Sequence, residues 1–412
     1  MRHWWAGWSQ RVRGEAAVVL LARLASVVVG TVFVLLTARH LGPTGRGEIG
    51  IAFTLAWATT SLADLGTSTS GRINLLRPTS DVTAREVLSL TAVLLLLQVV
   101  FSTVVLTVIS AISLHFSSRF VVAAVALSVA TMMFNSSVSV LYGLRRYIGI
   151  LKVESLVAVF QLLALAGFLR AGRLTATSAV VAMAIGPVLG TCWIVRVSGV
   201  LHRGERPRDR RQWRRLIVDG ISPMAGAFSM FLALRLNRIV LGVAASTHSL
   251  GLFTAAVVVP ETLRVLPRAV GQVVADRARS GVDQIVTARR HVRLFVVGHS
   301  LVLAAAAVGG WVAIPIVFGE GFREARDVLV VVTVAELVLT LHFMYQALLV
   351  GFGRPSGIGL PSVVGAVVMV VLNLIMIPTW GMQGAAWACL LGFSALAAVS
   401  AGWTNRELRG IG

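Results

Sequence analysis

Arg39-His40-Leu41-Gly42-Pro43-Thr44-Gly45-Arg46-Gly47 is a short polar stretch between two long apolar runs, and Arg23 lies buried in the run before it. About two hundred residues later the arrangement returns. An apolar run carries Arg235 and Arg238, and Leu241-Gly242, a few polar residues, Gly251 and another apolar run follow. Two related hairpins with arginines in membrane-length segments point to an internally duplicated, cation-lined membrane protein.

Composition supports a membrane location over a soluble multidomain one. The chain has 412 residues, of which 57% are hydrophobic and only 13% charged, and its mean hydropathy is +0.85. Apolar runs of roughly 18 residues or more, enough for a ~30 Å hydrocarbon core, recur along its length. They are continuous rather than alternating, so helices and not a barrel satisfy their backbones. The net charge of +20 sits mostly between the runs, where it meets lipid headgroups, so nucleic acid is not an expected partner. Cys192 and Cys389 fall in apolar runs without metal-ligand spacing, which leaves no zinc site and no disulfide framework. The first apolar run follows a basic start and is long, so it is read as a retained helix rather than a cleaved signal.

The expected fold is an all-α polytopic membrane protein of about twelve transmembrane helices in two pseudo-symmetric six-helix bundles around a central cavity. The helices are placed near 16–38, 49–69, 88–113, 119–142, 149–169 and 175–196, then 216–242, 250–274, 292–318, 327–350, 357–378 and 382–403. The lobes are 1–197 and 216–412, joined by a basic cytoplasmic linker at 198–215. With the N-terminus inside, most arginines fall in inner segments, which places both termini in the cytoplasm. Leu141-Tyr142-Gly143-Leu144-Arg145-Arg146 and Leu349-Val350-Gly351-Phe352-Gly353-Arg354 repeat one pattern at a matching offset. Two lobes of equal topology give a symmetry axis along the membrane normal.

Charges inside the bilayer cost about 2.5–3.5 kcal/mol even on lenient scales, so each needs a reason. Arg23 either snorkels to the inner headgroups or lines a cavity. Arg264 and Arg268 share a helix face after Pro260; they form either a structural pair with Glu261 or a basic stripe facing substrate. Arg235 and Arg238, near the outer end of their helix, serve either the boundary or the substrate, and Arg39 belongs to the outer rim. Glu336 is a candidate proton- or cation-coupling carboxylate or a structural partner of a buried arginine, and Asp64 is the second coupling candidate. No phosphate-binding loop, zinc motif or nucleophile elbow occurs. The outer loops are too short for the active sites of membrane glycan polymerases, so the chain reads as no enzyme, with no cofactor.

The motifs then carry a resemblance. Ala38 to Gly47, Leu62-Ala63-Asp64-Leu65-Gly66, Leu141 to Arg146, and Arg238-Ile239-Val240-Leu241-Gly242 with Leu250-Gly251-Leu252-Phe253-Thr254-Ala255-Ala256 form most of the set. Gly353-Arg354-Pro355, and Asn373 to Pro378 leading into Gly381-Met382-Gln383-Gly384-Ala385-Ala386, complete it. In order and spacing they resemble the polysaccharide-export flippases of the multidrug/oligosaccharidyl-lipid/polysaccharide (MOP) exporter superfamily. The chain departs from that pattern at Asn237, where an aspartate is common, and at Phe253, where a tyrosine is usual.

The resemblance implies a V-shaped pair of bundles in the cytoplasmic membrane. It also implies the flipping of a polyprenyl-pyrophosphate-linked oligosaccharide to the outer face for cell-surface polysaccharide. Arginines suit that anion through bidentate charge-assisted contacts; the set is Arg23, Arg264, Arg268, Arg235, Arg238 and Arg39. Expected partners are the lipid-linked glycan, membrane lipids, a coupling proton or cation, and a glycan polymerase or glycosyltransferase. Competing readings are a peptidoglycan-precursor flippase, a drug or cation antiporter of the same superfamily and, less favoured, a membrane glycan polymerase.

Overall fold

The computed structural model describes the backbone of residues 2–197, 210–278, 282–351 and 356–409, and the side chains of 28–196, 210–275, 278, 290–351 and 361–407. Helices α1 (Arg2–Ala63), α2 (Thr67–Leu76), α3 (Ala84–Ile109), α4 (Ser118–Gly143), α5 (Tyr147–Arg170) and α6 (Ala176–Val197) make up the first half. The second half has α7 (Arg210–Ala244), α8 (Thr247–Thr262), α9 (Val265–Ala278), α10 (Val282–Phe318), α11 (Arg326–Gly351) and α12 (Ser356–Arg409). No strand occurs among the described residues. Nine of the described helices are long and apolar enough to cross a membrane, or ten if the bent pair Val28–Ala63 and Thr67–Leu76 is one span. Two are broken, α1 at Gly42 and α12 at Gly381. With those breaks, every expected apolar run has a helical counterpart.

Two local expectations change. The polar stretch at 39–47 is a tighter turn than expected: two helices meet at one non-helical residue, Gly42 (φ 66°, ψ −173°), followed by Pro43. That backbone is nearly reserved for glycine, and proline tolerates the start of a helix, so one residue suffices to redirect the chain. The expected linker is also partly helical. Residues 210–215 are the first turns of α7, since arginine is a good helix former, and 198–209 lie outside the described residues.

The chain divides into two compact units, Met1–Leu41 with Ala52–Ala227 and Gly42–Ile51 with Phe228–Gly412. In the first, α3 shows how a membrane helix inverts soluble amphipathicity. Leu96, Val100 and Val104 are 72%, 61% and 55% exposed, while Leu94, Gln98, Ser102 and Leu106 are buried. Apolar side chains face the lipid and the polar ones hold helices together. The Gln98 amide donates to the Thr59 hydroxyl at 3.0 Å, a type of contact that contributes roughly 0.6–2 kcal/mol in a bilayer. Val87, Leu90, Met132, Leu141, Ile150, Val153, Ile194 and Leu216 form the adjoining core. Asp64 lies between α1 and α2 and caps the latter. It accepts from Thr67 Oγ1 (3.0 Å), Ser68 N (3.2 Å) and Ser68 Oγ (2.9 Å), and Ser68 Oγ also meets Ser136 Oγ at 2.8 Å.

The second unit is organised around α8 and α11. Leu250 to Val257 are all buried, and α8 packs on α10, α11 and α12. The segment after the α1 kink lies against the start of α8. A Cβ on Gly251 would run into the Pro43 backbone, and one on Gly47 into the Thr247 backbone. Thr44 Oγ1 stands 3.5 Å from His248 Nδ1. The two glycine-bearing stretches that echo each other in sequence are therefore in contact. Pro260 sits in the last turn of α8; the helix stops at Thr262 and α9 begins at Val265, which leaves Glu261 and Arg264 beside the break.

Candidate functional site

The break after Pro260 matters because it places a carboxylate and a guanidinium between three helices of the second unit. Glu261 accepts from Arg238 Nη2 at 2.5 Å. It also pairs with Arg235 at 3.2 Å and Arg264 at 3.5 Å. Arg264 uses its Nε–Nη2 edge as a fork on both oxygens of Glu336 of α11. Glu336 is only 3% exposed, and the side chains of Arg238, Arg264 and Glu261 are 9%, 11% and 15% exposed. Buried ions of this kind persist only when paired with good geometry, and removing one partner alone costs about 3–5 kcal/mol. Beside the cluster, Asn237 donates to Cys389 Sγ at 3.0 Å, and Arg264 lies 5.9 Å from the centre of the Phe393 ring.

Three arginines share two glutamates, so the cluster carries surplus positive charge. One turn along α9, Arg268 adds another cation. Its guanidinium lies 5.2 Å from the centre of the Phe343 ring, its side chain is exposed, and no ion pair to it occurs among the described residues. Glu336 and Phe343 are seven residues apart on α11, so Arg264 and Arg268 address the same face of that helix. The break thus yields two different arginines: one neutralised and buried, one accessible. Arg235, a third exposed in its side chain, is intermediate between them.

The remaining sequence-predicted residues lie elsewhere. Arg39 is exposed on α1 before the kink. Asp64 is held by hydroxyl groups in the first unit. The side chain of Arg23 lies outside the described residues. Sequence reasoning anticipated Glu261 as a partner of Arg264 from their i, i+3 spacing, but not as the hub for Arg235 and Arg238. Phe343 and Cys389 were missed as well; nothing local marks either one. Arg46 has a buried Nε with no hydrogen-bond partner among the described residues, and it is repelled by Arg238. No cluster of three or more metal-ligating side chains occurs among the described residues.

The sequence profile of a family described as "Polysaccharide biosynthesis protein" matches residues 12–272. No curated protein sequence matches the chain. Among solved structures, the chain is similar to an inward-facing multidrug resistance MATE family transporter of the MOP superfamily, with a TM-score of 0.76 and 14% identity over 93% of this chain and 95% of that one. It is also similar to the lipid II flippase MurJ in an inward closed conformation, with a TM-score of 0.69 and 12% identity over 93% and 86% of the two chains. A third likeness, with a TM-score of 0.56 and 15% identity over 96% and 93%, is to a MOP superfamily transporter from Pyrococcus furiosus described by the reverse polarity of its binding pocket. At such identities the likeness is one of fold.

Proposed function

The chain belongs to the polysaccharide biosynthesis protein family and has the fold of the MOP superfamily transporters, and from that premise we propose that it flips a polyprenyl-pyrophosphate-linked oligosaccharide across the cytoplasmic membrane, from the inner to the outer face. The observation that carries the reading is the surplus of arginine in the second unit, with Arg268 accessible and in no ion pair among the described residues. A pyrophosphate supplies the missing counter-charge. Arg268 is its first contact and Arg235 its second, while Arg238 and Arg264 hold the cluster together through Glu261 and Glu336. Such a charge-assisted contact is worth about 1.5–3 kcal/mol, or roughly 10- to 150-fold in affinity. A drug or cation antiporter would instead need accessible carboxylates, and here both glutamates of the cluster are committed to arginines.

Glu336 is thereby assigned a structural role. If a proton or cation gradient drives the cycle, Asp64 is the coupling carboxylate. Both termini are placed in the cytoplasm on the strength of the arginine distribution, and a glycan polymerase or glycosyltransferase acts next to this protein. A peptidoglycan-precursor flippase is the second reading, favoured by the likeness to lipid II flippase MurJ, because it presents the same pyrophosphate.

The test is an Arg268→Ala protein expressed in a deletion strain, with lipid-linked glycans assayed on each leaflet of sealed, oriented vesicles. The expected result is normal membrane abundance, a tenfold or greater loss of outward transfer, and accumulation on the inner leaflet. Wild-type transfer by the variant would overturn the cationic site. Unpolymerised repeat units accumulating outside the deletion strain would point to a polymerase. Accumulated peptidoglycan precursor rather than glycan would select the second reading.

A further inference from the structure

The Leu141 to Arg146 motif takes no part in the cluster above, and it sits in the other compact unit. In the structure it forms the wall of a cavity of about 440 Å³ lined by Leu141, Arg145, Arg146, Tyr147, Ile148, Gly149, Lys152 and Trp193. Three cations line this cavity and no acid does. Arg145 has φ 55°, in the left-handed region that a long side chain seldom occupies and that structures retain mainly at turns and functional positions. That conformation tightens the turn, in which Arg145 N donates to Tyr142 O at 3.1 Å and Arg146 N to Leu141 O at 2.9 Å. The two neighbouring arginines and Lys152 are all exposed at the cavity. Like charges around one depression repel, and an anion seated between Arg145 and Lys152 relieves that repulsion.

The position of the cavity selects the kind of anion. It lies where α4 ends, α5 begins and α6 is near its own end, each of them a candidate membrane span. The ends of membrane spans lie at the depth of the lipid headgroups. Tyr147 and Trp193 are the amphipathic aromatics that settle at this level, and Ile148, beside them, is 64% exposed. The site therefore combines a cationic mouth, an aromatic collar and an apolar flank.

We infer that this cavity binds the headgroup of an anionic phospholipid of the surrounding leaflet, with the phosphodiester on Arg145 and Lys152 and the acyl chains passing over Ile148. The site is separate from the proposed glycan-carrier site and does not rest on that reading. An electrostatic bias toward the cytoplasmic side would need only the charges; the proposal requires a retained lipid.

The full chain, purified in mild detergent, is carried through delipidation and reloaded with phosphatidylglycerol or phosphatidylcholine, and bound lipid is counted by native mass spectrometry. The expected result is one phosphatidylglycerol retained per chain, with at least fivefold preference over phosphatidylcholine. Arg145→Gln with Lys152→Gln should reduce that preference to near unity. Arg145→Gly, which relieves the left-handed backbone while deleting the cation, serves if the double variant folds poorly, and should also lose the preference. Arg268→Ala should keep it, which separates this site from the glycan-carrier site. Equal retention of both lipids by the wild type, or an unchanged preference in the variants, would overturn the proposal. So would displacement of the phosphatidylglycerol by millimolar inorganic phosphate, which would mark a free-anion site, or loss of the preference in Arg268→Ala alone.

Discussion

Glu336 shows what one side chain does when three interactions converge on its neighbour. It sits 3% exposed against the guanidinium of Arg264, so Glu336→Gln should destabilise the protein by about 3–5 kcal/mol, read as a lowered melting temperature in detergent. Removing both charges together, as Arg264→Gln with Glu336→Gln, should cost less than the two single changes added, because neither partner is left stranded. Additivity in that cycle would argue against the pair. Arg268→Ala should leave the stability within about 1 kcal/mol of wild type, since its guanidinium packs on the Phe343 ring and is in no ion pair among the described residues. The pairing of Glu261 with Arg264 was legible because it lies within one helical turn. The pairing of Glu336 was not: its partner is 72 residues away, and periodicity does not say which faces of two distant helices will oppose.

At the scale of the element, glycines set how closely backbones approach. Gly47→Ala and Gly251→Ala each place a methyl group against a backbone carbonyl rather than a flexible side chain, so neither site can relax cheaply. Each should cost at least the 1–3 kcal/mol typical of overpacking, measurable as loss of folded protein in a detergent-stability assay. Gly30→Ala is the control: a Cβ there meets nothing within 4 Å, and the change should be neutral or slightly stabilising. Gly42→Ala isolates a different cause. Space is open at that position but φ is +66°, so its cost, about 1–3 kcal/mol, is backbone strain alone. Helix existence was readable throughout from apolar run length. The Gly42 break was read as a turn because Gly-Pro with flanking arginines gives the same sequence signal for a loop and for a kink. The helix expected at 250–274 is instead divided after Pro260, between Thr262 and Val265, where proline removes a backbone donor.

At the scale of the whole chain, sequence divides the protein at the arginine-rich stretch near residue 200, whereas the compact units exchange a segment. Gly42–Ile51 belongs with Phe228–Gly412, a placement that hydropathy cannot reveal because a borrowed helix is as apolar as a native one. A cysteine pair tests it. Thr44→Cys with His248→Cys, in a background of Cys192→Ala and Cys389→Ser, should oxidise to a disulfide, since the native side chains are 3.5 Å apart. After cleavage at a protease site introduced within 198–209, the fragments should migrate together without reductant and separate with it. Separate fragments under both conditions would contradict the exchange.

That exchange also imposes an order on biosynthesis. The contact between Thr44 and His248 spans 204 positions, so residues 42–51 are made and inserted long before the helix that covers them is translated. Early non-local closure is slow, and the waiting surface is exposed to mispairing. A ribosome that stalls before Thr247 therefore leaves in the membrane a fragment whose first kinked helix still awaits a mate, an orphan of the kind that membrane quality control degrades.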